Sequence, residues 1–216
     1  MAIKAIFWDF GGVITTSPFD SFNNYELKND LPPDFIRSIN AMNPKNNAWA
    51  KLEKNEIDID EFDLLFLEES KNLGYPLSGK EILGLLKGEI RPEMVKALRE
   101  IKGRLVQACL TNNILSLGAE IDDFDAVSIV NSNAPDVMRL FDFMIESSKV
   151  KIRKPEPEFY LLACQRANVQ PQEVVFLDDL GINLKPAKKL GMKTIKVSKA
   201  EDALKELQSF LTFPIL

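Results

Sequence analysis

The sequence predicts an α/β protein: a doubly wound parallel sheet that is interrupted, after its first strand, by an inserted all-helical segment. Residues 2–8 form a short apolar run with isoleucine and aromatic side chains, which is typical of a buried strand. Residues 18–90 then show helical periodicity without a strong strand signal. From there on, strand-like and helix-like segments alternate, as in a parallel sheet covered by helices on both faces. We therefore expect a core of residues 1–16 and 91–216 and a helical insertion of residues 17–90.

The helices of the insertion are predicted from apolar spacing and from capping residues. The stretch LPPDFIRSINAM, residues 31–42, places apolar side chains at helical intervals behind two prolines that suit a helix start. Its apolar stripe comprises Phe35, Ile36, Ile39 and Met42. Further along, Asp58 precedes Glu61 and Ser78 precedes Glu81 in the spacing of a capping box, so a helix is expected to begin at each pair.

The second part of the chain carries most of the predicted sheet. Pro92 opens a helix whose apolar stripe runs to Ile101. Strands are expected at residues 104–110, 142–147, 173–179 and 192–197, and helices at residues 157–167 and 183–191. The last helix is expected to begin at Ser198, with Glu201 as its capping partner. Its inward-facing side chains are expected to be Ala203, Leu204, Leu207 and Phe210.

Composition excludes several classes of function. The 216 residues carry a net charge of −5 without a basic cluster, so neither a nucleic acid nor a membrane is expected as a partner. No apolar run is long enough to cross a bilayer and no signal peptide is evident, which favours a cytoplasmic location. The two cysteines are expected to be buried free thiols. The chain has no histidine, which excludes Ser-His-Asp triads, Cys-His dyads and zinc sites built on imidazole.

Polar residues follow several predicted strands at the point where each strand ends. Asp9 closes the first strand, Thr111 and Asn112 close the strand of residues 104–110, and Asp178 and Asp179 close the strand of residues 173–179. Each of these alone is typical of a turn or a helix cap. Ligands of open parallel sheets bind beyond the carboxyl ends of the strands, so together these residues indicate a site there.

Lys154 completes an order of residues that resembles a known family. Asp9, Thr111, Lys154 and the pair Asp178–Asp179 follow one another as do the four signature motifs of the haloacid dehalogenase superfamily. The stretches FDFMIESSKVKIRKPEPEFY and VVFLDDLGINLKPAKKLGM are most similar to the amino-terminal phosphatase domain of soluble epoxide hydrolases and its stand-alone relatives. This resemblance implies a Rossmann-like core with an inserted all-helical cap domain.

The resemblance also implies a mechanism. Asp9 is expected to be the nucleophile that forms an aspartyl-phosphate intermediate, with Thr111 and the amide of Asn112 holding the phosphoryl oxygens and Lys154 supplying positive charge. A carboxylate is already ionised at neutral pH, so such a nucleophile needs no histidine base. The expected substrate is a small phosphorylated molecule, and the sequence indicates neither its identity nor an oligomeric state.

A Mg²⁺ ion is the cofactor that the resemblance implies. Its expected ligands are Asp9, the backbone carbonyl of Gly11 and Asp179, with Asp178 as an orienting acid or alternate ligand. Gly11 and Gly12 are expected to let the backbone approach the substrate and present its amides to phosphate.

Position 11 departs from the family pattern, because most phosphatases of this superfamily carry there a second Asp that protonates the leaving alcohol. Gly11 therefore leaves several functions open. The first is a Mg²⁺-dependent phosphatase that uses a good leaving group or a proton passed through water. The second is a metal-independent 2-haloacid dehalogenase, although those enzymes usually carry a tyrosine at that position. The third is a catalytically idle protein that binds a ligand or a partner.

The insertion is expected to cover the site as a cap, with residues 15–22 near its hinge. Its aromatic side chains either line a substrate pocket or form the core of the insertion itself. They are Phe19, Phe22, Phe35, Trp49, Phe62 and Phe66.

Overall fold

The computed structural model describes residues 2–114 and 134–215, and in these ranges it contains a five-stranded sheet in the order β3-β2-β1-β4-β5. All neighbouring strands are parallel. The strands are β1 (Ala5–Trp8), β2 (Val106–Thr111), β3 (Phe143–Glu146), β4 (Val174–Asp178) and β5 (Lys193–Lys196). The predicted doubly wound, Rossmann-like sheet is thus confirmed, with the strand nearest the amino terminus at its centre.

The helices alternate with the strands after residue 91, as predicted. Those of the insertion are α1 (Phe19–Lys28), α2 (Phe35–Ala41), α3 (Ala48–Glu53), α4 (Ile59–Asn72) and α5 (Gly79–Leu83). Those of the sheet region are α6 (Pro92–Ile101), α7 (Ala134–Met138), α8 (Ser147–Val150), α9 (Pro157–Ala167), α10 (Gly181–Lys189) and α11 (Ala200–Gln208). The sequence predicted no individual helix for α1, α3, α7 or α8. Helices α3, α7 and α8 have six, five and four residues, too few to show a periodic pattern, and α1 begins within the predicted hinge segment.

Two apolar clusters cover the two faces of the sheet, because successive side chains of a strand point to opposite faces. Ile6 and Trp8 of β1 belong to the cluster that includes α6 and α11. Ala5 and Phe7 belong to the cluster that includes α9 and α10. Every residue of β1 is therefore buried, and the strand fixes the position of the turn that follows it.

Helices α1 to α5 bury a third apolar cluster of their own. Five of the six aromatic side chains singled out in the sequence are at most 7% exposed within it, and Phe19 packs against its edge. They form the interior of the insertion, as one of the two interpretations predicts. Ile114, which follows β2, also packs in this cluster. The division into a core of residues 1–16 and 91–216 and a cap of residues 17–90 stays a prediction.

The predicted capping residues have mixed outcomes. Asp58 and Glu61 form the reciprocal capping box at α4, with hydrogen bonds of 2.8 and 3.2 Å. Ser78 accepts a hydrogen bond from the backbone N–H of Glu81, but the Glu81 carboxylate accepts one from the Tyr25 hydroxyl at 2.8 Å instead of closing the box. The second capping box is therefore incomplete, because the Glu81 carboxylate binds Tyr25 of α1 and not the backbone N–H of Ser78.

Two details of the prediction are wrong. Met42 is 54% exposed, because α2 ends at Ala41 and the backbone of Met42 is extended. Helix α11 begins at Ala200 after Lys199, so Ser198 does not cap it. Its side chains Ala203, Leu204 and Leu207 are buried as expected, and Phe210 packs partly buried beyond the helix end.

The two connections between the insertion and the sheet run side by side. Arg91 donates its backbone N–H to the carbonyl of Ile14 at 2.9 Å, and Thr16 donates its own to the carbonyl of Glu89 at 2.8 Å. The predicted hinge segment of residues 15–22 thus starts in a paired connection and ends in α1. Within the described ranges, no helix combines the length and the apolar character that crossing a bilayer needs. Both cysteines are buried free thiols, as predicted.

Candidate active site

Three predicted site residues meet at the carboxyl edge of the sheet because β1, β2 and β4 are parallel neighbours. Asp9 directly follows β1, Thr111 is the last residue of β2, and Asp178 is the last residue of β4. All three side chains are buried, at 8%, 8% and 0% exposure. The backbone N–H of Asp9 donates to the carbonyl of Leu177, which ties the end of β1 to the end of β4. The edge is therefore a rigid platform for the carboxylates.

Lys154 lies between two of these acids. Its Nζ is 2.8 Å from Asp9 Oδ1 and 2.8 Å from Asp178 Oδ2, and the residue is 1% exposed. Burial alone lowers the pKa of a lysine, but the charges of Asp178 and Asp9 outweigh it and hold the pKa of Lys154 above its usual value. Lys154 is consequently a fixed positive charge that links β1 to β4.

Asn112 fixes the backbone of Lys154. The Asn112 side chain accepts a hydrogen bond from the Lys154 N–H at 2.9 Å and donates one to the Lys154 carbonyl at 3.0 Å. Because Asn112 directly follows β2, this reciprocal pair anchors the lysine to a third strand. The sequence assigned only the backbone amide of Asn112 to phosphate, and its side chain has this separate positioning task.

The two adjacent acids, Asp178 and Asp179, have different surroundings. Asp178 accepts hydrogen bonds from the N–H of Leu180 at 2.8 Å and from the Asn183 side chain at 3.1 Å to each oxygen, besides the Lys154 contact. The side-chain partner found for Asp179 is the Ser17 hydroxyl, at 3.4 Å. Asp178 is thus occupied by protein donors, whereas Asp179 keeps oxygen lone pairs for a ligand.

Asn183 is a site residue that sequence reasoning missed. It lies in the first turn of α10, is 4% exposed, and its carbonyl accepts a hydrogen bond from the buried Tyr160 hydroxyl at 2.7 Å. The available signal was its position, five residues after Asp178 in a helix that begins directly behind the acid pair. Ser17, in the connection to the insertion, was also missed as a contact of the site.

Gly12 allows Asp179 to approach the turn after β1. Its φ is +74°, a conformation that favours glycine, and a Cβ at this position would lie 2.2 Å from Asp179 Oδ2. Burial, followed by the charge of Asp178, raises the pKa of Asp179 to about 6 against the opposing effect of Lys154. Any larger residue at position 12 would push this carboxylate away.

Gly11 has the opposite surroundings. It is exposed, its backbone is extended with φ −65° and ψ 132°, and no atom of the described residues other than its chain neighbours lies within 4 Å of the position of a Cβ. Such a backbone is accessible to every residue type. Neither strain nor packing therefore requires a glycine at position 11.

The three carboxylates fit a divalent cation. One oxygen of each of Asp9, Asp178 and Asp179 lies within 4.8 Å of the others. Burial raises the pKa of Asp9 well above its usual value; Lys154 opposes this rise, and the charges of Asp178 and Asp179 add to it. Asp9 therefore differs from the ordinary ionised carboxylate that the sequence predicted, and a bound cation would favour its ionised form. Two unit charges 4 Å apart repel by about 4 kcal/mol at an effective dielectric of 20, and one lysine does not balance three acids. Carboxylate oxygens are the ligands that Mg²⁺ prefers, so the donor set suits this ion.

The segment before Lys154 also contacts the helical insertion. The Arg153 guanidinium lies 2.5 Å from the Glu53 carboxylate at the end of α3. The two side chains are 16% and 15% exposed. Arg153 further donates to the carbonyl of Pro44 at 3.1 Å. Within the described ranges, this is the ion pair that joins the insertion to the sheet region. The insertion therefore contacts the sheet region at the residue that directly precedes Lys154.

Comparison with known proteins adds a family to this geometry. A family model described as haloacid dehalogenase-like hydrolase matches residues 3–191. Acyl-CoA dehydrogenase family member 10 of Mus musculus is 35% identical over 98% of this chain, and bifunctional epoxide hydrolase 2 of Rattus norvegicus is 32% identical over 96%. The chain spans 19% and 39% of the lengths of these two relatives. A sesquiterpene phosphatase of Aspergillus oryzae is 26% identical, with 96% of both chains covered.

Solved structures support the fold. A HAD family enzyme of Bacteroides thetaiotaomicron in a magnesium complex superposes with a TM-score of 0.62 at 21% identity, covering 96% of this chain and 99% of that one. L-2-haloacid dehalogenase of Xanthobacter autotrophicus superposes with a TM-score of 0.59 at 20% identity, covering 99% of this chain and 85% of that one. At these identities the likeness establishes the arrangement of helices and strands.

Proposed function

The chain belongs to the haloacid dehalogenase-like hydrolase family, and from this premise we propose that it is a Mg²⁺-dependent phosphatase acting on a small phosphorylated substrate. The observation that carries the proposal is the cluster of the buried Asp9 and Asp178 with the half-buried Asp179, in which Lys154 contacts the first two acids and is the cation found among the described residues. Three acids and one lysine form a site that is short of positive charge. A divalent cation and a phosphate together complete such a site, whereas an anionic substrate alone would add to the repulsion.

Asp9 is the proposed nucleophile. Its carboxylate oxygen attacks phosphorus, the leaving group departs, and an aspartyl phosphate forms that water then hydrolyses. Lys154 holds the Asp9 carboxylate in position through the 2.8 Å contact and counters the charge of the phosphoryl group. Thr111, the amide of Asn112 and the amides of Gly11 and Gly12 are proposed to receive the phosphoryl oxygens.

Asp9, Asp179 and the carbonyl of Gly11 are the proposed Mg²⁺ ligands. When bound, the ion supplies the positive charge that offsets repulsion between the carboxylates and a phosphate dianion. Asp178 is proposed as the orienting acid, because Lys154, Leu180 and Asn183 already occupy its oxygens. The free lone pairs of Asp179 support its assignment as the direct ligand.

Named relatives support the reaction class. One relative is called a sesquiterpene phosphatase, and a structural neighbour has been solved with magnesium and inorganic phosphate, at a TM-score of 0.54. We also propose that residues 17–90 act as a cap over the site, since Ser17 reaches Asp179 and Arg153 reaches Glu53. A cytoplasmic location and the absence of nucleic-acid and membrane partners stay predictions.

Dehalogenation is the second candidate. It is favoured by the Xanthobacter structure and by a (S)-2-haloacid dehalogenase of Burkholderia cepacia that is 34% identical over 61 residues. A metal-independent reaction would leave the acid cluster with one lysine as its cation, so the charge balance supports the phosphatase. A protein that only binds a ligand or a partner would not need a carboxylate fixed as firmly as that of Asp9.

The test is turnover of a phosphate substrate with Mg²⁺ and with a chelator, on the wild-type chain and on Asp9→Asn. We expect turnover with Mg²⁺, none with the chelator, and none in Asp9→Asn, because the amide has nearly the same shape but is a poor nucleophile. Circular dichroism and thermal unfolding show whether Asp9→Asn is folded. Halide release without metal would establish the dehalogenase, and full activity in Asp9→Asn would overturn the mechanism.

A further inference from the structure

We infer that the substrates of this site are phosphates whose leaving group departs without receiving a proton, such as acyl phosphates and the phosphates of acidic enols or phenols. Phosphates of ordinary alcohols are then poor substrates. This inference rests on the proposed phosphatase function and narrows its substrate class. It follows from what stands at position 11 and from the tasks of the ionisable groups around Asp9.

Position 11 has room for an acid and lacks one. Its backbone is extended, it is exposed, and apart from its chain neighbours no described residue lies within 4 Å of a Cβ built there. An aspartate at this position would stand two residues beyond the proposed nucleophile, on a backbone that an aspartate adopts without strain. The neighbouring Gly12 is different, because there the packing of Asp179 excludes a side chain. The missing group at position 11 is thus not a consequence of the fold.

No other described group around Asp9 is available as a proton donor. The chain has no histidine, so the usual donor near neutral pH is excluded. The charged groups that act on Asp9 are Lys154, Asp178 and Asp179. Lys154 is committed to two carboxylates, Asp178 accepts hydrogen bonds on both oxygens, and Asp179 is the proposed metal ligand. These three groups all have tasks that keep them from protonating a leaving group.

The amide groups that contact Asp178, those of Asn183 and Leu180, are not acids, and the side-chain contact found for Asp179 is the Ser17 hydroxyl. It donates to Asp179 Oδ2 at 3.4 Å, and a hydroxyl is too weak an acid to replace a carboxyl group. A proton donor in this kind of reaction contributes about 10²–10⁴ in rate. The described residues of the site therefore provide no proton donor that would accelerate the departure of an alkoxide by this amount.

The chemistry of an acyl phosphate matches these groups. In the first step an Asp9 oxygen bonds to phosphorus, the bond from phosphorus to the substrate oxygen breaks, and the electron pair stays on a carboxylate. Carboxylic acids have a pKa of about 4 and phenols of about 10, whereas water and simple alcohols lie near 16. The carboxylate leaves as a stable anion and needs no proton.

The second step is balanced without an acid as well. A water oxygen bonds to phosphorus, the bond to the Asp9 oxygen breaks, and Asp9 leaves as a carboxylate. The proton released by the water passes to an oxygen of the phosphate product. Because the leaving group in this step is always Asp9, the identity of the substrate affects only the first step.

The test is a series of phosphates of graded leaving-group acidity: acetyl phosphate, a set of aryl phosphates and a simple alkyl phosphate, each with Mg²⁺. For the wild-type chain, log kcat/KM is expected to fall steeply as the leaving group becomes more basic. In Gly11→Asp the ratio of alkyl to acetyl phosphate turnover should rise about 10²–10⁴-fold, because the new carboxyl group protonates the alkoxide. The matched control is Gly11→Asn, which has the same shape without an acid and should not raise this ratio.

A flat dependence of the wild-type enzyme on leaving-group acidity would overturn the inference, since it would reveal a proton donor elsewhere in the chain. An equal gain in Gly11→Asn and Gly11→Asp would overturn it too. The wild-type series decides the question even if a variant at position 11 does not fold. Absence of turnover on every phosphate, acetyl phosphate included, would instead contradict the proposed phosphatase function.

Discussion

The two adjacent glycines should respond to alanine in opposite directions. At Gly12 the backbone has φ +74°, which costs a residue with a Cβ about 1–2 kcal/mol. For a chain of 216 residues, this corresponds to a fall in Tm of about 2–8 °C. At Gly11 the extended backbone suits alanine, which should raise stability by about 0.4–1 kcal/mol by restricting the unfolded chain.

The Gly12→Ala variant should also lose metal binding. The new Cβ would lie 2.2 Å from Asp179 Oδ2 and 2.4 Å from its Cγ, so the carboxylate must rotate away from Asp9. A ligand at a hundredfold excess over its Kd stabilises a protein by about 2.7 kcal/mol. We expect scanning calorimetry with and without Mg²⁺ to show this stabilisation in the wild type and in Gly11→Ala, and to show little of it in Gly12→Ala.

The calorimetric comparison can refute the reasoning in two ways. If Gly12→Ala unfolded at the wild-type temperature and kept its response to Mg²⁺, the close approach of Asp179 to position 12 would have no importance for the site. If Gly11→Ala lost as much stability as Gly12→Ala, the contrast between the two backbone conformations would be wrong.

Three further predictions concern charged residues. Lys154→Met should abolish turnover and lower the free energy of unfolding by about 3–5 kcal/mol, since it leaves buried carboxylates without their cation. Lys4→Met, which removes an exposed ion pair, should cost far less stability than Lys154→Met, and urea unfolding of the two variants compares the losses. Glu53→Gln and Arg153→Gln should each lower kcat/KM about tenfold, which corresponds to 1.4 kcal/mol. The double variant should have the same kcat/KM as either single variant, because all three variants lose the same ion pair. Additive kinetic effects would contradict this. Asp63→Asn should reduce the loss of stability in acid. The backbone N–H of Lys80, early in α5, donates to the Asp63 carboxylate and holds its pKa below the usual value. The stability that Asp63 contributes is therefore fully present above the usual carboxylate pKa and is lost as pH falls through the lowered pKa. Unfolding midpoints at about pH 6 and about pH 3 test this, and equal acid sensitivity of both chains would refute it.

The sheet and the placement of its acids could be predicted from the sequence because both depend on local patterns. Each strand is a short apolar run, and parallel strands bring their carboxyl ends to one edge wherever they lie in the chain. Asp9, Thr111 and Asp178 stand at this edge as predicted. Lys154 follows no strand; its place just before a predicted helix and the family resemblance grouped it with these residues.

The family resemblance implied Asp179 as the metal ligand and Asp178 as the orienting acid or alternate ligand, but the sequence could not supply the physical reason, because the different surroundings of the two acids depend on contacts between distant segments. Sequence spacing treats Asp178 and Asp179 alike. In the structure, Asn183 and Lys154 occupy the first, and Gly12 leaves space for the second. None of these contacts has a signature within a single element.

Helix ends show the same limit. The capping box of α4 was predictable because both partners lie within one turn. Helix α2 is capped instead by Glu26 of α1, whose buried carboxylate accepts hydrogen bonds from the backbone N–H groups of Asp34 and Ile36, each at 2.9 Å. A cap supplied by another helix leaves no local pattern, and the two prolines before α2 suggested a start for a different reason.

Gly11 and Gly12 are adjacent, but only at position 12 does the structure require a glycine. Gly12 is required by geometry, because its left-handed backbone and the approach of Asp179 exclude a Cβ. Neither the backbone conformation nor the packing at position 11 requires a glycine, so we look for the effect of Gly11 on the reaction. A carboxyl group at that position, two residues beyond Asp9, would add a fourth acid near a site in which Lys154 is the cation among the described residues. A phosphatase whose leaving groups need no proton gains nothing from that acid and avoids its repulsion. The open space at position 11 is therefore consistent with activated phosphates as substrates, and the leaving-group series is the measurement that decides it.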